Sequence, residues 1–187
     1  AQNSVKLEAE SGTKEHNNFT SSVGGTAGLI ESHGTISSCV STGDITAIAG
    51  NYTDAYAGGI VGYGYSGTTS SSYSTGNISA QSKATATSGT IAAGGVSGFA
   101  QNNISYCYAL GNAVTTKQSY CHNSYAGGIV GYSASGCAIN TSFTKGKITD
   151  ASGNAGGICG YGYSAKANNC FYNSELNSKA SGSYTIE

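Results

Sequence analysis

The stretch Gly58-Gly59-Ile60-Val61-Gly62-Tyr63, followed by Ser72-Tyr73-Ser74-Thr75-Gly76-Asn77-Ile78, decides the fold because the chain repeats it. The first part recurs as Gly24-Gly25-Thr26-Ala27-Gly28, Gly94-Gly95-Val96-Ser97-Gly98, Gly127-Gly128-Ile129-Val130-Gly131 and Gly156-Gly157-Ile158-Cys159-Gly160. Successive copies lie 34, 36, 33 and 29 residues apart. An aromatic follows four of them (Tyr63, Phe99, Tyr132 and Tyr161), and Leu29 stands there in the first. The second part recurs as Cys39-Val40-Ser41-Thr42-Gly43-Asp44-Ile45, Cys107-Tyr108-Ala109-Leu110-Gly111-Asn112 and Ser142-Phe143-Thr144-Lys145-Gly146-Lys147-Ile148, and decays to Cys170-Phe171-Tyr172. Ten anchors in register are not a chance pattern.

Between the glycines, Val, Ile, Tyr, Thr and Phe dominate, which are the residues of strands. Gly and Ser interrupt every stretch before a helical period can build. Short strands broken by turns and repeated at constant length describe a solenoid, whose units bury their apolar faces only by stacking. The expected architecture is all-β: a right-handed parallel β-solenoid of about five coils with an extended N-terminal arm. Coils ~4.8 Å apart would make a rod ~24 Å long.

Equivalent residues should then form columns. Ile60, Val96, Ile129 and Ile158 form one that points inward, with Thr26 at its start. Val40, Tyr73, Tyr108, Phe143 and Phe171 form another, expected to lie at least partly inside with the other aromatics. The structural anchors are Gly59, Ile60, Gly62, Tyr63, Tyr73, Gly76, Gly95, Gly98, Phe99, Tyr108, Gly128, Gly131, Phe143, Gly157, Gly160 and Phe171. A polar column after the inner apolar position reads Thr46, Ser79, Thr115 and Thr149, but its neighbour (Thr42, Thr75, Leu110, Lys145) is irregular. A flat ice-binding plane is therefore weakly supported.

These units resemble the GLUG motif, in which Gly-Gly-Leu-Val-Gly precedes a Cys-Tyr-Ala-Thr-Gly-like segment; Cys107-Tyr108-Ala109 matches it closely. The resemblance covers roughly residues 24–176. It implies an extracellular β-solenoid of the kind found in bacterial secreted and surface proteins, including adhesins, and it carries no catalytic residue across. On this reading residues 1–23 form an N-terminal arm or capping strand, and 24–187 the GLUG-like solenoid.

Composition excludes several classes. The 187 residues include 29 Gly, 29 Ser and 19 Thr, but no Arg, Pro, Met or Trp, and the net charge is -1. Nucleic acid needs a basic footprint that is absent here. No apolar run reaches the ~18 residues of a membrane helix. The Ala1 start without Met suggests a chain processed after a signal peptide, hence a secreted or cell-surface location.

Chemistry finds little support. His16, His33 and His122 have no metal-ligand spacing. Asp44, Asp54 and Asp150 fall at non-equivalent positions of different coils, unlike the paired acids of glycosidases. Gly62-Tyr63-Gly64-Tyr65-Ser66-Gly67 matches a dinucleotide fingerprint but lacks its βαβ context. No enzyme and no cofactor or metal is expected. Five Asn-x-Ser/Thr sequons, at Asn18, Asn51, Asn77, Asn103 and Asn140, are about the number that composition alone would give.

Six Cys permit three disulfides. Cys39 and Cys107, in one slot two coils apart, would be ~9.6 Å from each other, beyond disulfide reach. Cys107 and Cys170 fail alike. Cys121 and Cys137 are the best candidate pair, and Cys159 with Cys170 is an alternative.

Three functions compete: a self-associating subunit of a fibre or surface layer, an adhesin or glycan-binding module, and an accessory fragment of a secreted enzyme. Low charge and open strand edges favour the first, with copies of the chain as partners. Alternation in Val5, Leu7 and Ala9 marks a half-buried strand that caps the first coil or pairs with a neighbouring copy. A surface glycan or host protein is the partner under the second reading.

Overall fold

The computed structural model describes residues 5–8, 19–31, 33–134 and 136–184, with residues 7, 8 and 19 described by backbone alone. These residues hold no helix, and their strand pairs are parallel. The chain winds as a β-solenoid with five faces, which it visits in the same order in every coil. Face A stacks Val5–Glu8, Ile45–Ala49, Ile78–Ser82, Ala113–Thr116 and Ile148–Thr149. Face B stacks Phe19–Gly24, Thr53–Gly58, Ser88–Gly94, Cys121–Gly127 and Ala155–Gly156. Face C stacks Ala27–Ile30, Val61–Gly64, Ser97–Ala100, Val130–Ser133, Cys159–Gly162 and Ser181–Ser183. Face D holds Thr35–Ser37, Thr68–Ser70, Asn103–Ser105, Ala138–Asn140 and Lys166–Asn168. Face E holds Val40–Ser41, Tyr73–Ser74, Tyr108–Ala109, Phe143–Thr144 and Phe171–Tyr172.

Five rungs on a face are joined by about four full turns, slightly fewer than five separate coils would suggest. Val5–Glu8 pairs with Ile45–Ile48 and Phe19–Gly24 with Thr53–Gly58, so both are first rungs of the solenoid. Ala9 lies outside the described residues.

The Gly-Gly motif makes the corner between faces B and C, where Ile60, Val96, Ile129 and Ile158 point into the core. Each is at most 2% exposed. Their backbones form a ladder: the Ile60 amide donates to the Val96 carbonyl, Val96 to Ile129 and Ile129 to Ile158, all at 2.9 Å. The second glycine is required by close approach. A Cβ on Gly59 would lie 2.1 Å from the Gly95 carbonyl oxygen and 2.4 Å from Ser74 Oγ. Face E accordingly turns small residues inward: Ser41, Ser74, Ala109 and Thr144 are buried.

The side-chain period of 2 then sends the aromatics outward. The column Val40, Tyr73, Tyr108, Phe143 and Phe171 is in register as expected, yet Val40, Phe143 and Phe171 are exposed. The expectation that it lies partly inside is corrected: Gly59 and Gly95 fill the space beneath it with backbone. One register also shifts. Ala113, not Val114, continues the inner Ile45 and Ile78, which puts Val114 in line with Thr46, Ser79 and Thr149. Thr115 therefore turns inward, buried, and its hydroxyl bonds Asp150.

Each coil bends between faces D and E at a residue of positive φ: Ser38, Ser71, Tyr106, Thr141 and Asn169, at 46–57°. None is glycine, although non-glycine residues rarely occupy this region. The next residue alternates Cys39, Ser72, Cys107, Ser142 and Cys170. Ser72 Oγ accepts from the Cys39 amide at 3.0 Å, and Ser142 Oγ from the Cys107 amide at 3.2 Å. Serine hydroxyls, present in every second coil, thus tie adjacent coils together at the bend.

Candidate functional site

The titratable groups serve the backbone rather than converging. Asp44 Oδ1 accepts from the Asn77 amide at 2.7 Å and starts a ladder in which Asn77 and Asn112 side chains accept from the Asn112 and Lys147 amides. Asp150 accepts from the amides of Ser152 (2.7 Å) and Asn154 (2.9 Å) and so fixes a turn. Asp54 accepts from the Thr90 amide at 2.6 Å and from the Tyr56 hydroxyl at 3.5 Å. Burial raises its carboxyl above the ordinary range, against the lowering effect of those two bonds. It lines a hollow of about 140 Å³ with Tyr52, Thr87, Ser88, Gly89 and His122. Among the described residues no three His, Cys, Asp or Glu groups come together as metal ligands. His16 lies outside the described residues, and His33 and His122 are exposed.

All six cysteines are free thiols, which corrects the pairing expected for Cys121 and Cys137. Cys121 opens a strand of face B and belongs to the core between faces A and B. Cys137 packs in the other core cluster, with Ile104, Ile129 and Ile139. Cys159 lies in that second cluster too, while Cys39 and Cys170 are half-buried. Burial raises the thiols of Cys107, Cys121, Cys159 and Cys170, and pushes Cys137 up to about 11. Buried thiols of this kind behave as small packed residues rather than nucleophiles.

What the outer surface does offer is aromatic. On face C, Leu29, Tyr63, Phe99, Tyr132 and Tyr161 are in register. Their rings stack almost parallel: Tyr63 on Phe99 at 4.1 Å and 6°, and Tyr132 on Tyr161 at 4.7 Å and 7°. Tyr56 and Tyr125, on face B, meet these rings at steeper angles. In that face-B column Ser22 precedes Tyr56 and Ala92 separates the two tyrosines, which gives each ring its space. A second ladder climbs face E, with Tyr73, Tyr108 and Phe143 stacked at 4.5 and 4.9 Å. Neighbouring rungs stack against most of these rings, and on face C Tyr184 meets the last of them, Tyr161, at 4.9 Å and 71°.

Both ends of the solenoid are sheet edges. At one, the edge strands are Val5–Glu8, Phe19–Gly24, Ala27–Ile30, Thr35–Ser37 and Val40–Ser41. The other end is stepped rather than bare. Asn177, 5% exposed, accepts from the Ile148 amide and donates to the Gly146 carbonyl. The Gly157 and Ile158 amides donate to the carbonyls of Lys179 and Ala180, and Ser181–Ser183 adds a sixth rung to face C. Faces D and E stop at the fifth rung, where Phe171 is 69% exposed. The step could not be read from the repeat, because residues 173–184 carry neither anchor.

No protein-family model matches the chain, and neither the curated proteins nor the solved structures contain a significant match to it. Among the described residues no helix is long and apolar enough to cross a membrane.

Proposed function

We propose that the chain is a non-catalytic structural protein of the cell surface or extracellular space, a subunit that extends head to tail with copies of itself. The observation that carries this reading is the pair of ends, which among the described residues are sheet edges: five first-rung strands at one, a stepped edge at the other. Strand edges of this kind are templates for pairing unless blunted. A copy seats its Ala27–Ile30 strand on Ser181–Ser183 of the next, with Val40 and Phe171 flanking the notch on faces D and E. The contact is heterologous and does not close, so it propagates. The Val5–Glu8 strand, paired with Ile45–Ile48 of its own chain, lies at the same end of the solenoid.

Light scattering over a concentration series tests the reading. The wild-type mass should climb with concentration. Leu29→Lys, an outward charge on the edge strand, should hold the chain monomeric, while Tyr120→Lys, a substitution at another exposed position, should not. A wild-type chain that stays monomeric throughout contradicts the proposal.

A further inference from the structure

The face-C ladder is one ring short at its first rung. Tyr63 has Phe99 against one face, 4.1 Å away, and Leu29 is its register partner on the other side. Leu29 is shorter than a ring and is itself 52% exposed. The flanking column is short by a ring too, with Ser22 in line with Tyr56. Two missing rings leave a hollow of about 630 Å³ on the outer surface. Its walls are the Tyr63 and Tyr65 rings and Leu29, and its polar groups are the side chains of Thr20, Ser22 and Glu31.

We propose that this hollow binds a neutral pyranose ring, which takes the place in the ladder that Leu29 leaves open. The geometry supplies both halves of sugar recognition. The Tyr63 ring, which lines the hollow on the side where no further ring stacks, offers an apolar platform for the C–H face of a pyranose. Around it stand a carboxylate, which only accepts, and two aliphatic hydroxyls, which both donate and accept. A polyol ring satisfies that mixture, whereas a purely aromatic ligand leaves the carboxylate without a donor. Among the described residues Glu31 is the one charged group lining the hollow, which disfavours uronic acids and other anionic sugars. The size lies within the usual range of ligand sites, roughly 300–1,000 Å³. The hollow lies on the first rung beside the Ala27–Ile30 edge, so it is tested on dilute monomer, where head-to-tail association does not bear on the result.

Saturation-transfer NMR on dilute, monomeric protein tests it, with methyl glycosides of glucose, galactose, mannose and N-acetylglucosamine as probes. At least one should give a saturable signal on its ring C–H protons. Leu29→Tyr, which supplies the missing ring, should abolish that signal. Glu31→Gln, which keeps the shape and removes the charge, should weaken it by about tenfold, the scale of a lost charged hydrogen bond. Tyr120→Ala, outside the hollow, should leave it unchanged. No saturable signal from any glycoside, or equal binding by Leu29→Tyr, overturns the proposal. So does saturable binding of an indole or a peptide where no pyranoside binds.

Discussion

Ser183 pairs with Tyr161, and this one register places the last described strand as a sixth rung on face C. The solenoid therefore ends in a step, not a flat face. Its remaining edges on faces D and E lie one rung lower, beside the exposed ring of Phe171. A partner must fit the step, which restricts how copies can stack.

The Gly-Gly corner should be the least tolerant position in the fold. Gly59→Ala drives a methyl group into the Gly95 carbonyl and into Ser74, so two rungs must separate. A loss of at least about 3 kcal/mol is expected, at the upper end for overpacked cores. Gly136→Ala meets no neighbour within 4 Å and bears only the strain of its φ of +90°. Its expected loss is about 1–2 kcal/mol. Urea unfolding of the two variants should preserve that order; equal losses would mean the coils can part cheaply.

Asp54 should be replaceable with a gain. Its folded carboxyl is raised by burial, so the charged form is a net burden at neutral pH. The linkage runs accordingly: stability from this group is fully present below the unfolded carboxylate range and is lost as pH rises through the folded value. Asn keeps an acceptor for the Thr90 amide without the charge. Asp54→Asn should therefore be more stable than wild type at pH 7, with the difference vanishing toward pH 3. A variant less stable at pH 7 would show that the charge is used.

Alkaline pH should unfold the chain early. An unfolded Cys thiol ionises near 9, while folded Cys137 is held up to about 11, and burial with the Tyr184 hydrogen bond takes Tyr161 up to about 12. Both folded values are raised, so this stability is intact below about pH 9 and is lost as pH climbs through 11 and 12. Thermal melts between pH 8 and 11 should fall steadily. Native alkylation at pH 8 should label half-buried Cys39 before Cys107, Cys137 and Cys159, which are 0–1% exposed. Prompt labelling of the buried three would mean that the rungs open readily.

The sequence made the columns legible because each coil repeats both anchors, and the inner Ile60 column and the register from Val40 to Phe171 followed directly. Orientation of the aromatics was not legible: alternation gives two parities, and the choice depends on the space Gly59 and Gly95 leave beneath Ser74 and Ala109. The shift at Ala113 was hidden because Val114 looks like the better match to Ile78, while the smaller Ala fills the inner position. The partial sixth rung carries no anchor, and the bends at Ser38, Ser71, Tyr106, Thr141 and Asn169 use residue types that do not announce a positive φ. The hollow beside Tyr63 did leave a trace, since of the five Gly-Gly units only the first is followed by a non-aromatic residue, Leu29.

Head-to-tail stacking makes one geometric demand that no other mode of association shares. A copy seated on the sixth rung advances by about six strand spacings, or ~29 Å along the axis. Cryo-electron microscopy or fibre diffraction of assembled protein measures that repeat directly. The account predicts filaments with a ~4.8 Å strand spacing along their axis and a subunit rise near ~29 Å. Monodisperse single subunits at every concentration, or filaments whose strands do not run across the axis, would contradict it.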